Sequence, residues 1–352
     1  MERDPLTKHS SRLLCSASHI TGDERRALRT RNILAALAAT SALALTAGCS
    51  ATSEPAAGPY EIDTSLAADA EQSPLRILLT NDDGWNADGI QATYKALKEA
   101  GYDVTMVAPA ENQSGQSAGF EFTGSIEVTH PSDDPDVYAV SATPVGSLMF
   151  GLNEVFKDNP PDLVVSGTNV GTNSGADTNY SGTVGAAVVA AGVYRIPAIA
   201  VSTATSRDGA GAFDETANLV TGILADGIPQ FPEGTVLNIN YPKLADGATE
   251  PNGYVYAPMS DVSQAAIGYE KTGDTTYELR PGRSDAVPEP GSDLAELKAG
   301  NVTFTVLEAN RTAPEADAAA VKELVAGLNG DPSTEPTAPA VPAGSLGSSF
   351  GS

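Results

Sequence analysis

A short apolar run, Ile77-Leu78-Leu79, stops abruptly at Asn81-Asp82-Asp83-Gly84. The run is too brief for a helix and reads as a buried strand; Asn-Asp-Asp-Gly is turn chemistry. Two adjacent carboxylates at the C-terminal end of a buried strand are costly unless their charge is offset, and a divalent cation is the simplest offset. Open α/β sheets place their ligands at the carboxyl ends of their strands. The feature therefore asks for an α/β sheet with Asp82 and Asp83 as the floor of a hard-metal site, and with Gly84 letting the chain turn above it. The plainer alternative is a solvated Asp-Asp-Gly turn.

The next residues of the chain build the sheet. Ile90, Tyr94 and Leu97 recur at helical intervals, and residues 102–109 read as a second strand. Strand, helix and strand in about 35 residues make a βαβ unit with a parallel pair. The second strand runs into the polar loop Glu111-Asn112-Gln113-Ser114-Gly115-Gln116-Ser117, at the same end of the sheet as the aspartates. Further strands are expected at residues 138–141, 162–167, 196–202, 236–242 and 302–307, and helices at 147–156, 213–224 and 315–328, with Pro314 opening the last. Residues 253–283 read as a hairpin excursion outside the sheet core. His130 is expected at the surface.

A second stretch carries chemistry. Ser166-Gly167-Thr168-Asn169-Val170-Gly171-Thr172-Asn173 leads through Tyr180-Ser181-Gly182-Thr183 into an Ala/Val-rich helix beginning near Gly182. Backbone N–H groups in such a loop can form anion nests, and a helix N-terminus flanked by Ser and Thr suits a phosphate. A plain Gly-rich loop before a core helix is the alternative. The stretch is neither a Walker A loop nor a dinucleotide-binding GxGxxG.

Before this domain, Arg25, Arg26, Arg29 and Arg31 precede an apolar segment at 33–47 that is short for a membrane span. It ends in Leu45-Thr46-Ala47-Gly48-Cys49-Ser50, which resembles a bacterial lipobox. That implies cleavage before Cys49, lipidation of Cys49, and a protein anchored to the outer face of the cell membrane. An ordinary secretory signal is the alternative. The expected organisation is a signal peptide at 1–48, a flexible Ala/Ser/Pro-rich tether at 49–74, a catalytic domain at 75–330 and a disordered tail at 331–352. Cys15 and Cys49, the only cysteines, fall outside the domain, so no structural disulfide is expected. A net charge of −25 argues against a basic face for duplex nucleic acid, but not against a small phosphate ester whose charge a cation offsets.

Taken in order, the blocks Ile77 to Gly84, Val107-Ala108-Pro109 with Ser114-Gly115, Asp162 to Asn169 and Tyr180 to Ala187 resemble the SurE (survival protein E) family of metal-dependent nucleotidases. The resemblance spans roughly residues 75–310. It implies a Rossmann-like, mostly parallel sheet flanked by helices, with a C-terminal β-hairpin excursion. It also implies one divalent metal on Asp82, Asp83, Ser114 and Asn169, and hydrolysis of nucleoside monophosphates to nucleoside and phosphate. Asp82 and Asp83 would be the catalytic pair, and Asn173, Ser181, Gly182 and Thr183 would bind phosphate. All-oxygen ligands suit Mg²⁺ or Mn²⁺. The nucleophile is a water or Asp82 itself, with water favoured. Members of the family form dimers or tetramers through C-terminal extensions.

Two departures stand out. Ala142-Thr143-Pro144-Val145-Gly146-Ser147-Leu148 occupies the place of Gly-Thr-Pro-Ala-Asp-Cys-Val, so Gly146 stands where the family carries Asp. Leu307 is followed by Glu308 where a Pro-Leu-His ending is common. Two other readings are a haloacid dehalogenase-like phosphotransferase, which would need Asp-x-Asp, and a surface lipoprotein that binds a nucleotide or metal without turnover.

Overall fold

The computed structural model describes residues 73–206, 209–245 and 247–328. The leader, tether and tail expected at 1–48, 49–74 and 331–352 lie outside these residues, save for Ser73 and Pro74.

The chain starts with strand β1 (Arg76–Thr80), helix α1 (Asp88–Glu99) and strand β2 (Asp103–Pro109). Strands β3 (Val128–Thr129) and β4 (Val137–Val140) come next, then helix α2 (Pro144–Phe150), which loosens into a π-helical turn at Gly151–Val155. Beyond it lie β5 (Leu163–Val170), a 3₁₀ turn (Gly175–Tyr180), α3 (Gly182–Gly192), β6 (Ala198–Thr203), α4 (Phe213–Leu224) and β7 (Thr235–Tyr241). The last part holds β8 (Gly253–Tyr256), β9 (Ala265–Lys271), β10 (Tyr277–Arg283), α5 (Asp293–Lys298), β11 (Asn301–Glu308), a 3₁₀ turn (Glu315–Ala318) and α6 (Ala319–Leu328).

Nine strands form one sheet in the order β3-β4-β2-β1-β5-β6-β7-β11-β8. The run from β4 to β7 is parallel throughout. β11 pairs antiparallel with β7, and β3 antiparallel with β4. β1 is the hinge of this order: the chain builds outward from it through β2 and β4, then returns to its other side with β5, β6 and β7. Open sheets leave a crevice at the carboxyl ends of strands where the order reverses. Here that crevice lies between the ends of β1 and β5.

Both faces of β1 are covered, which is why its sequence is continuously apolar rather than alternating. Ile77 and Leu79 pack with Ile90 and Leu97 of α1 and with Val220 and Leu224 of α4. Leu78 packs on the other face with Leu148 of α2 and with Ala186, Ala187 and Ala190 of α3. The small side chains of α3 let it lie close to the sheet.

The structure departs from the sequence expectation in several places. Helix α2 starts at Pro144, where the Thr143 hydroxyl caps it by accepting the Gly146 N–H at 3.1 Å. The C-terminal helix is divided into the 3₁₀ turn and α6. Part of the 253–283 stretch joins the main sheet: β8 pairs in parallel with β11. Only β9 and β10 form the separate antiparallel hairpin. β3, α5 and the 3₁₀ turn at Gly175–Tyr180 were not anticipated. His130 is exposed, with its ring 4.3 Å from that of Tyr138.

One buried carboxylate ties this C-terminal part to the loop after β5. Asp293 is fully buried, and its oxygens accept the N–H groups of Gly175 (2.9 Å), Ser260 (2.9 Å) and Leu294 (2.7 Å). Removing it strands three donors inside the protein, each costing about 1–3 kcal/mol. Asp293→Ala is therefore expected to lower unfolding free energy by roughly 3 kcal/mol or more. Asp293→Asn, which keeps one acceptor oxygen, is expected to fall between that variant and the parent. Urea titration followed by far-UV circular dichroism checks both.

Candidate active site at the end of the central strands

Asp82 and Asp83 emerge from the end of β1. The turn beyond them is clamped by Asn81, whose amide donates to the Gly84 carbonyl at 2.9 Å and whose Oδ1 accepts the Gly84 N–H at 3.2 Å. Gly84 has φ +104°, a conformation open to glycine and strained for other residues.

Asp82 is 3% exposed, and each of its oxygens has a donor. Oδ2 accepts the Gly182 N–H at 3.0 Å and Oδ1 accepts the Thr183 hydroxyl at 2.7 Å. The Thr183 oxygen also lies 3.3 Å from Oδ1 of Asn169, on β5. The Asn169 amide nitrogen donates to the Gly171 carbonyl at 2.6 Å, which fixes its oxygen toward the aspartates. Asp83 Oδ2 accepts the N–H of Val170, the residue after Asn169, at 2.8 Å. Asp82, Asp83 and Asn169 are thus gathered at one point by the ends of β1 and β5 and the start of α3.

Ser114 reaches this group indirectly. Its N–H donates to Asn112 Oδ1 at 3.0 Å, and the Asn112 amide lies 3.4 Å from Asp83 Oδ1. The loop is also stitched to the site by the Gln113 N–H, which donates to the Asp82 carbonyl at 2.7 Å. Asn112 thus lies between Ser114 and Asp83, and no local signal in the chain separates it from its polar neighbours.

The residues expected to hold phosphate divide into two sets. Gly182 and Thr183 turn their donors onto Asp82, so in this structure the start of α3 binds the protein's own carboxylate. Ser181 caps α3, its hydroxyl oxygen accepting the Val184 N–H at 3.0 Å, which leaves its O–H to donate elsewhere. Asn173 is held rigidly in the interior. Its N–H donates to Asn240 Oδ1 at 2.7 Å and its amide to Ser202 Oγ at 2.9 Å, and its carbonyl accepts from Asn238 and Asn240. Asn238 and Asn240, on β7, are supporting residues whose role sequence reasoning did not assign.

The electrostatics favour a cation. Burial pushes the Asp83 carboxyl up to about 6; the Val170 N–H pulls it partly back and the Asp82 charge adds to the rise. A carboxylate pair, one buried and one half-buried, flanked by an amide oxygen is an all-oxygen donor set, the kind that suits hard divalent ions. Among the described residues no group of three or more His, Cys, Asp or Glu side chains is placed to hold a metal, so the set rests on two carboxylates completed by neutral oxygens.

The raised Asp83 carboxyl also sets a pH dependence. The folded state holds that proton more tightly than the unfolded chain, so stability from this group is present below about pH 4 and lost as pH rises through about 6. In EDTA at pH 8, Asp83→Asn is expected to be more stable than the parent by on the order of 2 kcal/mol, and the difference is expected to vanish below about pH 4. Thermal unfolding across that range measures it.

Comparison with known proteins agrees with this geometry. Residues 77–265 match the family model "Survival protein SurE". The chain is 35% identical over 247 residues to the 5'-nucleotidase SurE of Porphyromonas gingivalis, covering 68% of this chain and 92% of that protein. It is 36% identical over 247 residues to the 5'/3'-nucleotidase SurE of Shigella dysenteriae, covering 69% and 93%. The crystal structure of the SurE protein from Aquifex aeolicus superposes with a TM-score of 0.59 at 29% identity, covering 71% of this chain and 99% of that one. Nearly the full length of these relatives is matched, and the stretch that matches the family model contains the Asp82–Asp83 pair and the start of α3: the chain belongs to the SurE family.

Proposed function

We propose that the protein is a divalent-metal-dependent phosphomonoesterase that hydrolyses nucleoside monophosphates. The observation that carries this reading is the Asp82–Asp83 pair at the reversal point of the sheet, Asp82 buried and Asp83 partly open to solvent, with Asn169 beside it. The relatives named as 5'- and 5'/3'-nucleotidases support it. The non-catalytic lipoprotein reading is not favoured.

Asp82, Asp83, Asn169 and Ser114 would hold the ion, with Mg²⁺ or Mn²⁺ matching their oxygens. When bound, the ion supplies Lewis-acid stabilisation of the phosphate oxygens and makes water a stronger nucleophile. The rest of the work falls to the chain. Gly182 and Thr183 fix both oxygens of Asp82, and this favours Asp82 as a fixed ligand over Asp82 as a covalent nucleophile. The attacking group in this reading is water. The Ser181 O–H is the donor best placed to steady the phosphate, because the N–H and amide of Asn173 already donate to Asn240 and Ser202. Phosphate release from a panel of nucleoside monophosphates, with EDTA, Mg²⁺ and Mn²⁺ compared, tests the proposal. No release with either metal, from folded protein, would overturn it.

We also propose a homo-oligomer assembled through the hairpin. Residues directly opposite in an antiparallel pair share a face. Tyr269 faces Leu279, Ile267 faces Pro281 and Lys271 faces Tyr277, so one face is largely apolar. Ile267, Tyr269, Tyr277 and Leu279 are all more than half exposed on it. The opposite face carries Arg280, paired with Glu270 and Glu278. A two-stranded hairpin is marginal on its own, and a second copy would cover the apolar face. The double variant Ile267→Asp/Leu279→Asp is expected to shift the protein from dimer or tetramer to monomer in sedimentation velocity.

Export and lipidation at Cys49 complete the proposal, supported by the basic, apolar and small-residue pattern that precedes it. Anchoring in this reading rests on Cys49; no helix among the described residues is long and apolar enough to cross a membrane. Cys49→Ser should release the protein from the membrane fraction.

A further inference from the structure

Beside the carboxylate site runs a groove of about 360 Å³ to which phosphate hydrolysis alone gives no role. Its volume lies at the lower end of the roughly 300–1,000 Å³ range of small-molecule pockets. Phe120, Phe122, Ile126 and Phe150 make its apolar surfaces, and Gly146 and Glu121 lie at one part of its lining. The rings of Phe120 and Phe122 are 4.4 Å apart, and Phe122 is 86% exposed, a large aromatic surface left to water on the loop between β2 and β3. Such surface is a candidate for covering by a ligand.

Two contacts place this groove next to the site. A side chain on Gly182 would begin 2.8 Å from both the Asp82 Cβ and the Pro144 Cγ, so Pro144 and Asp82 meet at the start of α3. Pro144 follows Thr143, whose hydroxyl donates toward Glu121 Oε2 at 3.4 Å while accepting the Gly146 N–H. Glu121 is exposed, and this one long contact leaves its carboxylate beside Thr143 at the edge of the groove. The same oxygen lies 3.0 Å from where a Gly146 side chain would begin, so the absence of a side chain at Gly146 makes room for Glu121.

The chemistry of the groove selects its ligand. Its charged lining groups, Glu121 and Glu154, are both acidic, which disfavours a phosphate there. Flat aromatic surfaces suit a nucleobase, because every base has a π-face. A carboxylate only accepts hydrogen bonds, so it needs N–H donors. Guanine presents two side by side, N1–H and the exocyclic amino group, matching the two oxygens of one carboxylate. Uracil flanks its single N–H with two carbonyls that would face the carboxylate.

We propose that this groove holds the base of the substrate, with Phe122 and Phe120 as the stacking surface and Glu121 selecting guanine. The proposal rests on the nucleotidase reading and deepens it. Its test compares kcat/KM of the full-length protein for GMP, UMP and ribose 5-phosphate, the last a substrate without a base. The parent is expected to favour GMP over both by about tenfold or more. Phe122→Ala is expected to lower the GMP value about tenfold, in line with the usual contribution of base stacking, and to affect ribose 5-phosphate far less. Glu121→Gln is expected to narrow the GMP-to-UMP ratio. Equal losses on all three substrates, or no change on any, would overturn the proposal. If the parent hydrolyses no ester, the nucleotidase reading fails by itself, and saturation-transfer NMR with guanosine in EDTA then decides for the groove. Transfer to the base that is lost in Phe122→Ala upholds it; no transfer, or equal transfer, refutes it.

Discussion

Asp82→Ala is expected to lower kcat/KM for a nucleoside monophosphate by roughly three orders of magnitude. Stabilisation of transition-state charge by a bound cation is worth several kcal/mol, and each tenfold in rate corresponds to about 1.4 kcal/mol. The same change removes the acceptor of two buried donors, the Gly182 N–H and the Thr183 hydroxyl, so a stability loss of about 1–3 kcal/mol is expected as well. The two effects are separable. A ligand that binds only the folded state raises its stability by about 2.7 kcal/mol at a hundredfold excess over Kd. Titrating Mn²⁺ while following thermal unfolding should raise the midpoint of the parent and leave that of Asp82→Ala unmoved, whatever its starting value. If Asp82→Ala still turned over nucleotide at near the parental rate, the carboxylate pair would have no part in the reaction.

The convergence on Asp82 was legible in part from the chain alone. Parallel strands end on one side, so a carboxylate pair after the first strand and an Asn at the end of a later one were bound to approach each other. The start of α3 shows where such reasoning stops. Gly182 and Thr183 carry the signature of an anion site, and they do receive an anion, but it is the Asp82 carboxylate. A helix N-terminus favours negative charge of any origin, so its local sequence does not distinguish an external phosphate from a side chain about one hundred positions earlier.

Elements set by distant pairing were harder to read. β8 is a four-residue strand with Tyr254 and Tyr256 largely exposed. Nothing in its own pattern separates it from the hairpin beyond it, and only its pairing with β11 makes it part of the sheet. Asp293 reads as an ordinary acidic residue in the first turn of a short helix. Its fixing role comes from Gly175 and Ser260, which lie far from it in sequence. Asn238 and Asn240 alternate with apolar residues in an otherwise apolar strand, a pattern that looks like partial exposure. Both are buried because the Asn173 carbonyl and N–H need partners there.

Gly185 carries the second large expected effect, and it acts through space rather than chemistry. A Cβ at this position would lie 2.2 Å from the Ser117 carbonyl oxygen, 2.4 Å from its carbon and 2.8 Å from the Ala118 nitrogen. All three are backbone atoms, so no rotamer change relieves the clash. Either α3 lifts from the sheet or the loop moves. α3 is buried along most of its length, whereas residues 114–116 are exposed, and the Ser117 N–H is held mainly by the Tyr180 carbonyl at 3.1 Å. The loop is the part that gives. Its displacement carries Ser114 and Asn112 away from Asp83, and a shift of about 1 Å at a reacting centre costs on the order of a hundredfold in rate. Gly185→Ala is therefore expected to lose about a hundredfold in kcat/KM and to need more Mn²⁺ for half-maximal activity, while its unfolding midpoint in EDTA changes little. A large fall in that midpoint with cation affinity intact would instead mean that α3 had moved and the loop had stayed.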